Sequence, residues 1–246
     1  MRTAIITAYY REPREILERC ISSVQSQTTP ADHILVADGY PQDWINNKKI
    51  RQIILDKAHA DYGDSPRSIG LILALREQYD AIQFLDADNI LSSNHVELMW
   101  KVQSVRNLDV VVSTRRFLRP DGSVLPYTWQ ADETGDHVDT GCYFFTRPSY
   151  SEAIRWSLIP KQLSCIGDRI FLSMLKNSGL RIERAIEPTV GYTNLWKDVY
   201  VAIGEVPPPG AKTLDREISE MNSWWKQLAD EERKLIQNTL GISLSL

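Results

Sequence analysis

Cysteine is scarce in this chain: Cys20, Cys142 and Cys165 are the only three in 246 residues, and no two form a Cys-x-x-Cys pair. An odd number in no metal-ligand pattern excludes a disulfide framework and points to a reducing compartment. Long apolar runs are missing too, since no segment approaches the roughly 18 residues of a membrane span. There is no Gly-x4-Gly-Lys-Ser/Thr phosphate loop, which argues against ATP hydrolysis. Neither sign of charge dominates: 28 Lys and Arg face 32 Asp and Glu for a formal charge of -4, so no broad nucleic-acid footprint is expected. The stretch Met1 to Thr7 has no signal-peptide apolar core and reads directly into a strand. These absences predict a soluble, cytoplasmic protein, with peripheral membrane contact left open.

What is present is globular. Hydrophobic residues make up 43% and charged residues 24%, and a chain of this length buries roughly 70–75% of its extended surface without disulfides. Strand-like and helix-like segments alternate through the first half. Ala4 to Thr7, Ile34 to Ala37, Ile53 to Leu55, Ala81 to Leu85 and Val110 to Ser113 read as strands. Helices are expected from Pro13 to about Gln27, Ser68 to Tyr79 and Asn94 to Val105. In the first of these Ile16, Leu17, Cys20, Ile21 and Val24 form one apolar face; in the second Ile69, Ile72, Leu73 and Leu75 are the candidates for burial. This order predicts an α/β fold, a mostly parallel central sheet flanked by helices with right-handed crossovers.

The pattern changes after about residue 114. Pro120-Asp121-Gly122-Ser123 reads as a turn between short extended segments. The acidic run Asp132-Glu133, with Asp136 and Asp139 beyond it, reads as a solvated, mobile loop. Gly141 to Thr146 and Arg181 to Ile186 are further strands, and Asp168 to Asn177 a helix. Pro207-Pro208-Pro209-Gly210 is a stiff break. The expected organisation is one domain over 1–206, divided near 114 into a first and a second half, then a helical appendage over 207–246. Ile218, Met221, Trp225, Leu228, Leu235 and Ile236 give a helix from Asp215 to Leu240 an apolar face. It either docks on the main domain or, through Trp224 and Trp225, meets a membrane or partner.

Chemistry concentrates in Ile82-Gln83-Phe84-Leu85-Asp86-Ala87-Asp88-Asn89. A buried strand here delivers two carboxylates at its carboxyl end, the side on which parallel sheets bind ligands. An acidic pair there suits Mg²⁺ or Mn²⁺ shared with a ligand diphosphate, because hard oxygen donors select such ions. Spacing alone also fits a helix start, at which Asp88 or Asn89 satisfies free amides.

With its neighbours this segment resembles the family 2 glycosyltransferases of the A-type fold, which use nucleotide-diphosphate sugars. The likeness spans about 1–195 and rests on Ile5 to Arg11, Asp38-Gly39, Pro66-Arg67-Ser68-Ile69-Gly70 and Asp86-Ala87-Asp88, in that order. Two positions depart from the family pattern: Tyr40 stands where a small residue is usual, and Ser68 where the family has Asn. The resemblance implies nucleotide or donor contacts by Ala8, Tyr10, Asp38, Arg67, Asp86 and Asp88. It also implies a divalent cation, Mn²⁺ or Mg²⁺, on Asp88 with Asp86 beside it, His137 and Asn194 being left open as a third ligand. UDP is the favoured donor handle, and the acceptor is an unspecified hydroxyl.

In Cys165-Ile166-Gly167-Asp168-Arg169 the resemblance makes Asp168 the base that removes the acceptor proton, with Gly167 in the usual Glu position. The residues alone also allow Asp168 to be a helix N-cap. Gly141, Cys142, Trp129, Trp196 and Arg169 belong to the expected acceptor side, the two Trp as sugar-stacking candidates or as ordinary core. The implied activity is metal-assisted, inverting sugar transfer. Two rivals stay open: nucleotidyl transfer to a sugar phosphate, and a carbohydrate-binding or scaffold protein without turnover.

Overall fold

A computed structural model describes residues 1–47 and 50–244. Its elements, in chain order, are β1 (Thr3–Tyr9), α1 (Arg14–Gln25), β2 (Asp32–Ala37), β3 (Arg51–Ile54), α2 (Asp64–Arg76), β4 (Ala81–Phe84), β5 (Ile90–Leu91), α3 (His95–Arg106) and β6 (Val110–Leu118). There follow α4 (Gln130–Thr134), β7 (Tyr143–Thr146), α5 (Tyr150–Ala153), α6 (Gly167–Lys176), β8 (Ile182–Thr193), α7 (Lys197–Ala202), α8 (Asp215–Gln227) and α9 (Asp230–Leu240).

One eight-stranded sheet runs in the order β3-β2-β1-β4-β7-β6-β8-β5. Its first four strands are parallel, as their apolar runs predict. The sheet as a whole is mixed, because β7 enters antiparallel between β4 and β6, and β5 runs antiparallel to β8. The mostly parallel sheet expected from the sequence thus holds for the first four strands and for β6 beside β8, and needs correcting at β7 and β5. All four residues of β7 are buried; a strand covered on both faces carries no period-two pattern, and its composition says nothing of its direction. β5 escapes detection because it is two residues long. It follows β4 after one short loop yet pairs with the end of β8 and packs on α1, so this end of the sheet curls back on itself.

Helix α2 differs most from its expected form. It starts at Asp64, and Ile69 and Ile72 face outward at 36% and 48% exposure, while Gly70, Leu71 and Ala74 are buried. Gly70 sets this facing. A methyl group there would lie 2.5 Å from Ile6 Cγ2 and 3.2 Å from Val36 Cγ2, so α2 lies on β1 and β2 closer than a side chain permits.

The C-terminal segment forms two helices, α8 and α9, broken at Leu228 and Ala229. Met221 and Leu240 join the main core, with Trp224 and Ile236 packed against it, whereas Ile218 and Leu235 are exposed. Trp225 is buried as well. No helix of the described residues is long and apolar enough to cross a membrane.

Candidate active site

The parallel strands end where β4 hands over to Leu85, Asp86 and Ala87. Across from it stands the start of α6, and between them opens a cavity of about 620 Å³. Its wall includes Arg67 and Asp86 on one side and Asp168, Arg169, Trp129 and Trp196 on another. Residues far apart in the chain are thus gathered around one space of ligand size.

Arg67 leaves the first turn of α2 almost wholly buried, its guanidinium 5.6 Å from the Phe84 ring centre and 5.4 Å from that of Trp156. It donates to Asp64 Oδ1 at 3.1 Å and Asp86 Oδ1 at 2.9 Å. Trp156 Nε1 adds a third fixed donor to this group, 2.7 Å from Asp64 Oδ1. Arg67 is therefore locked in place, and Asp86, about one-third exposed, turns its free edge to the cavity.

Asp88 is half-buried and lies off that wall. Burial first, and then the charge of Asp86, push its carboxyl up to about 7, against a smaller opposing effect of Lys212. Thr193 Oγ1 donates to the Asp88 carbonyl and the Thr193 amide to Asn89 Oδ1, tying the end of β8 to the acidic loop. Asn194 comes next, fully buried, and both polar atoms of its side chain lack a partner among the described residues.

The two carboxylates form an oxygen-donor pair whose mutual repulsion a cation would relieve. Among the described residues no group of three or more His, Cys, Asp or Glu is disposed around a metal. A divalent ion here would take Asp86 and Asp88 and complete its shell from ligand and water oxygens, the habit of Mg²⁺ in phosphate sites.

The opposite wall is an ionic chain that begins on β6. Arg115, 4% exposed along its side chain, donates through Nε to Asp132 Oδ2 at 2.7 Å and through Nη1 to Asp139 Oδ2 at 2.9 Å. Asp132 Oδ1 meets His137 Nδ1 at 2.7 Å, and His137 Nε2 reaches Asp168 Oδ2 at 2.5 Å. Burial opposes charge on His137, yet its bonds to Asp132 and Asp168 raise its pKa above the ordinary value. Burial drives Asp139 the other way, up to about 6, although Arg115 pulls against it.

The acidic run is therefore not the solvated loop expected. Glu133 and Asp136 face water, but Asp132 and Asp139 are each 9% exposed because Arg115 supplies an internal counterion. Sequence reasoning passed over Arg115. The available signal was a cation within β6 itself, beyond Val112, Ser113 and Thr114, a site at which its charge must find a buried partner.

Other expected site residues lie off the cavity wall. Asp38 is buried, and its carboxylate accepts from the His59 amide and ring nitrogen and the Ala60 amide, so it braces that loop. Ala8 is half-buried beneath Gly63, at which an added methyl would come within 3.1 Å of its Cβ. Tyr10 packs edge-on against Tyr40 with ring centres 4.8 Å apart, and Arg11 lies over both rings.

Cys142 is core, its thiol pushed up to about 12 by burial, and is not among the residues lining the cavity. The Gly141 carbonyl accepts from Gln83 and its amide donates to Asp139, so it too serves the packing under the site. Asp168 is no N-cap: α6 begins at Gly167, and Asp168 Oδ1 takes the amide of Arg169 at 2.8 Å. His137 has both ring nitrogens committed to carboxylates, which leaves it no lone pair for a metal. Trp196 donates to the Tyr192 hydroxyl and lines the cavity, while Trp129 lies 4.3 Å from the His137 ring centre.

No family model and no curated protein sequence matches this chain. Solved structures do. S. aureus TarS 1–349 superposes with a TM-score of 0.63 at 15% identity, covering 98% of this chain and 79% of that one. The same protein in complex with UDP-GlcNAc gives a TM-score of 0.60 at 14% identity, covering 98% and 80%. Full-length TarS gives 0.60 at 14% identity, with 95% of this chain and 45% of that one covered. At such identities the likeness is one of fold, and it extends over nearly the whole chain.

Proposed function

We propose that this protein transfers a sugar from a nucleotide-diphosphate sugar, with UDP as the favoured nucleotide, to an acceptor hydroxyl, with inversion at the anomeric carbon. The observation that carries the reading is the single cavity faced by the Arg67–Asp86 pair and by Asp168. Donor-side charge and acceptor-side base have to meet across one space for this chemistry. The shared fold adds support, since TarS has been crystallised with UDP and with UDP-GlcNAc.

In this reading Asp168 takes the proton of the acceptor hydroxyl as that oxygen attacks the anomeric carbon. The bond from that carbon to the diphosphate breaks, and the nucleotide diphosphate leaves with the electron pair. Arg67 and Asp86 keep the donor edge rigid, so little reorganisation is needed as charge develops. Asp86 and Asp88 would hold Mg²⁺ or Mn²⁺, which when bound neutralises the departing diphosphate. Trp196 and Arg169 border the room left for the acceptor.

The test is an array of nucleotide-diphosphate sugars and hydroxyl acceptors with Mg²⁺ or Mn²⁺, read by nucleotide diphosphate release and product mass together. Magnetic resonance of the product then reports the anomeric configuration. Pyrophosphate release from a nucleoside triphosphate and a sugar phosphate, with no sugar transfer in the array, would replace this reading by nucleotidyl transfer.

A further inference from the structure

We propose that His137 is a positioning residue for Asp168: its ring holds one carboxylate oxygen so that the other is presented to the acceptor hydroxyl. The inference rests on the functional reading above and adds to it the device that aims the base. His137 is 4% exposed, and its ring bridges two carboxylates, 2.7 Å from Asp132 and 2.5 Å from Asp168. When both carboxylates are ionised they only accept, so each ring nitrogen then donates and the bridge is an imidazolium.

The bridge has a fixed far end. Asp132 is gripped by Arg115 through Nε at 2.7 Å and Nη2 at 3.2 Å. Arg115 belongs to β6, an interior strand held between β7 and β8. A chain of charge-assisted bonds therefore runs from the sheet to the first turn of α6 and ends on the base. The Trp129 ring, 4.3 Å away, covers the imidazole from another side.

At the base itself, α6 contributes one restraint, the Arg169 amide on Asp168 Oδ1. One bond to an adjacent amide leaves the carboxylate free to swing; the imidazolium on Oδ2 removes that freedom. During transfer the acceptor proton goes to Oδ1 as the new carbon–oxygen bond forms and the diphosphate bond breaks. Oδ2 becomes the carbonyl oxygen of the acid and keeps its hydrogen bond, so His137 neither gains nor loses a proton.

Three substitutions separate aiming from mere bracing. In His137→Ala, kcat of transfer should fall about 10- to 100-fold, the loss expected for a reacting group misplaced by about 1 Å. Donor affinity and the KM for acceptor should stay within about twofold. His137→Gln, whose amide still reaches Asp168, should recover most of the lost kcat. The shorter His137→Asn should not recover it. Wild-type kcat in a folded His137→Ala protein, or equal rescue by Asn and Gln, would overturn the assignment.

A measurement independent of turnover distinguishes failure here from failure of the functional reading. Nitrogen-15 magnetic resonance of the ring should show both His137 nitrogens protonated, with a downfield Nε2 proton that disappears in Asp168→Asn. Its presence in a protein that transfers no sugar would sink the activity and leave the coupling standing. Its absence in an active enzyme would sink the coupling alone.

Discussion

Arg115→Met tests the buried ionic wall most directly. The substitution keeps much of the apolar stem and deletes the charge, leaving the Asp132 and Asp139 side chains only 12% and 11% exposed without their common counterion. Removing one partner of a buried ion pair costs about 3–5 kcal/mol. At about 2–4 °C per kcal/mol for a chain of this size, Tm should drop by roughly 6–20 °C. The pH dependence fixes the cause. Burial already lifts the Asp139 carboxyl to about 6, and Arg115 is the main group pulling it down. Without Arg115 the folded-state pKa rises further. A carboxyl raised above its unfolded value contributes stability that is present in acid and lost as pH rises through the folded pKa. The deficit against wild type should therefore be smaller near pH 5, where only Asp132 is left as a carboxylate unpaired with Arg115, and largest near pH 8, as read by urea unfolding at both. Adding Asp139→Asn should return part of it at pH 8. A deficit below about 1 kcal/mol at pH 8, or one that grows toward acid, would refute the electrostatic account.

Asp168→Asn should lower transfer by at least about 100-fold, the usual worth of a general base, with donor binding by calorimetry unchanged; wild-type turnover would reject the role. Asp88→Asn should abolish the Mn²⁺-dependent part of donor binding, and an unaltered titration with and without metal would remove Asp88 from the cation site. Trp196→Ala should raise the acceptor KM several-fold at unchanged Tm if its ring meets the acceptor; a fall in Tm with no change in KM would make it a packing residue. Gly70→Ala sets a gain of about 1 kcal/mol in helix propensity against about 1–3 kcal/mol of overpacking on Ile6. Net destabilisation in thermal unfolding is the expected sign, and a stabilised variant would show that α2 has room to shift.

Residues that act through local pattern were legible in the sequence. The first four strands and α1 announce themselves by apolar period and composition, and Asp86 sits at a strand end, where the alternation of apolar runs puts it. Partners chosen across the fold were not legible. Asp38 has the residue type for binding a nucleotide edge, yet its oxygens are spent on His59 and Ala60, residues that β3 and its loop bring back beside it. Ile69 and Ile72 look like core, yet the face of α2 is decided by the glycine that fits under Ile6. Hydrophobicity ranked the isoleucines above Gly70, whereas closeness of approach ranks them below.

The acidic segment shows why the second half of the site was harder to read than the first. Four acidic residues between 132 and 139 suggest solvent, because burying even two carboxylates uncompensated would cost several kcal/mol. What reverses the sign is Arg115, which no local spacing links to them. β7 enters antiparallel between β4 and β6, and the turn of Thr140–Cys142 that leads into it packs against both neighbouring strands. Asp139 is carried inward with that turn, and Arg115 on β6 stands ready to meet it. The strand whose direction the sequence did not encode is thus the one that brings the acidic segment to the cavity. The direction of β7 and the buried partners of Arg115 were missed for one reason: both depend on a pairing between β4, β7 and β6 that only the assembled sheet defines.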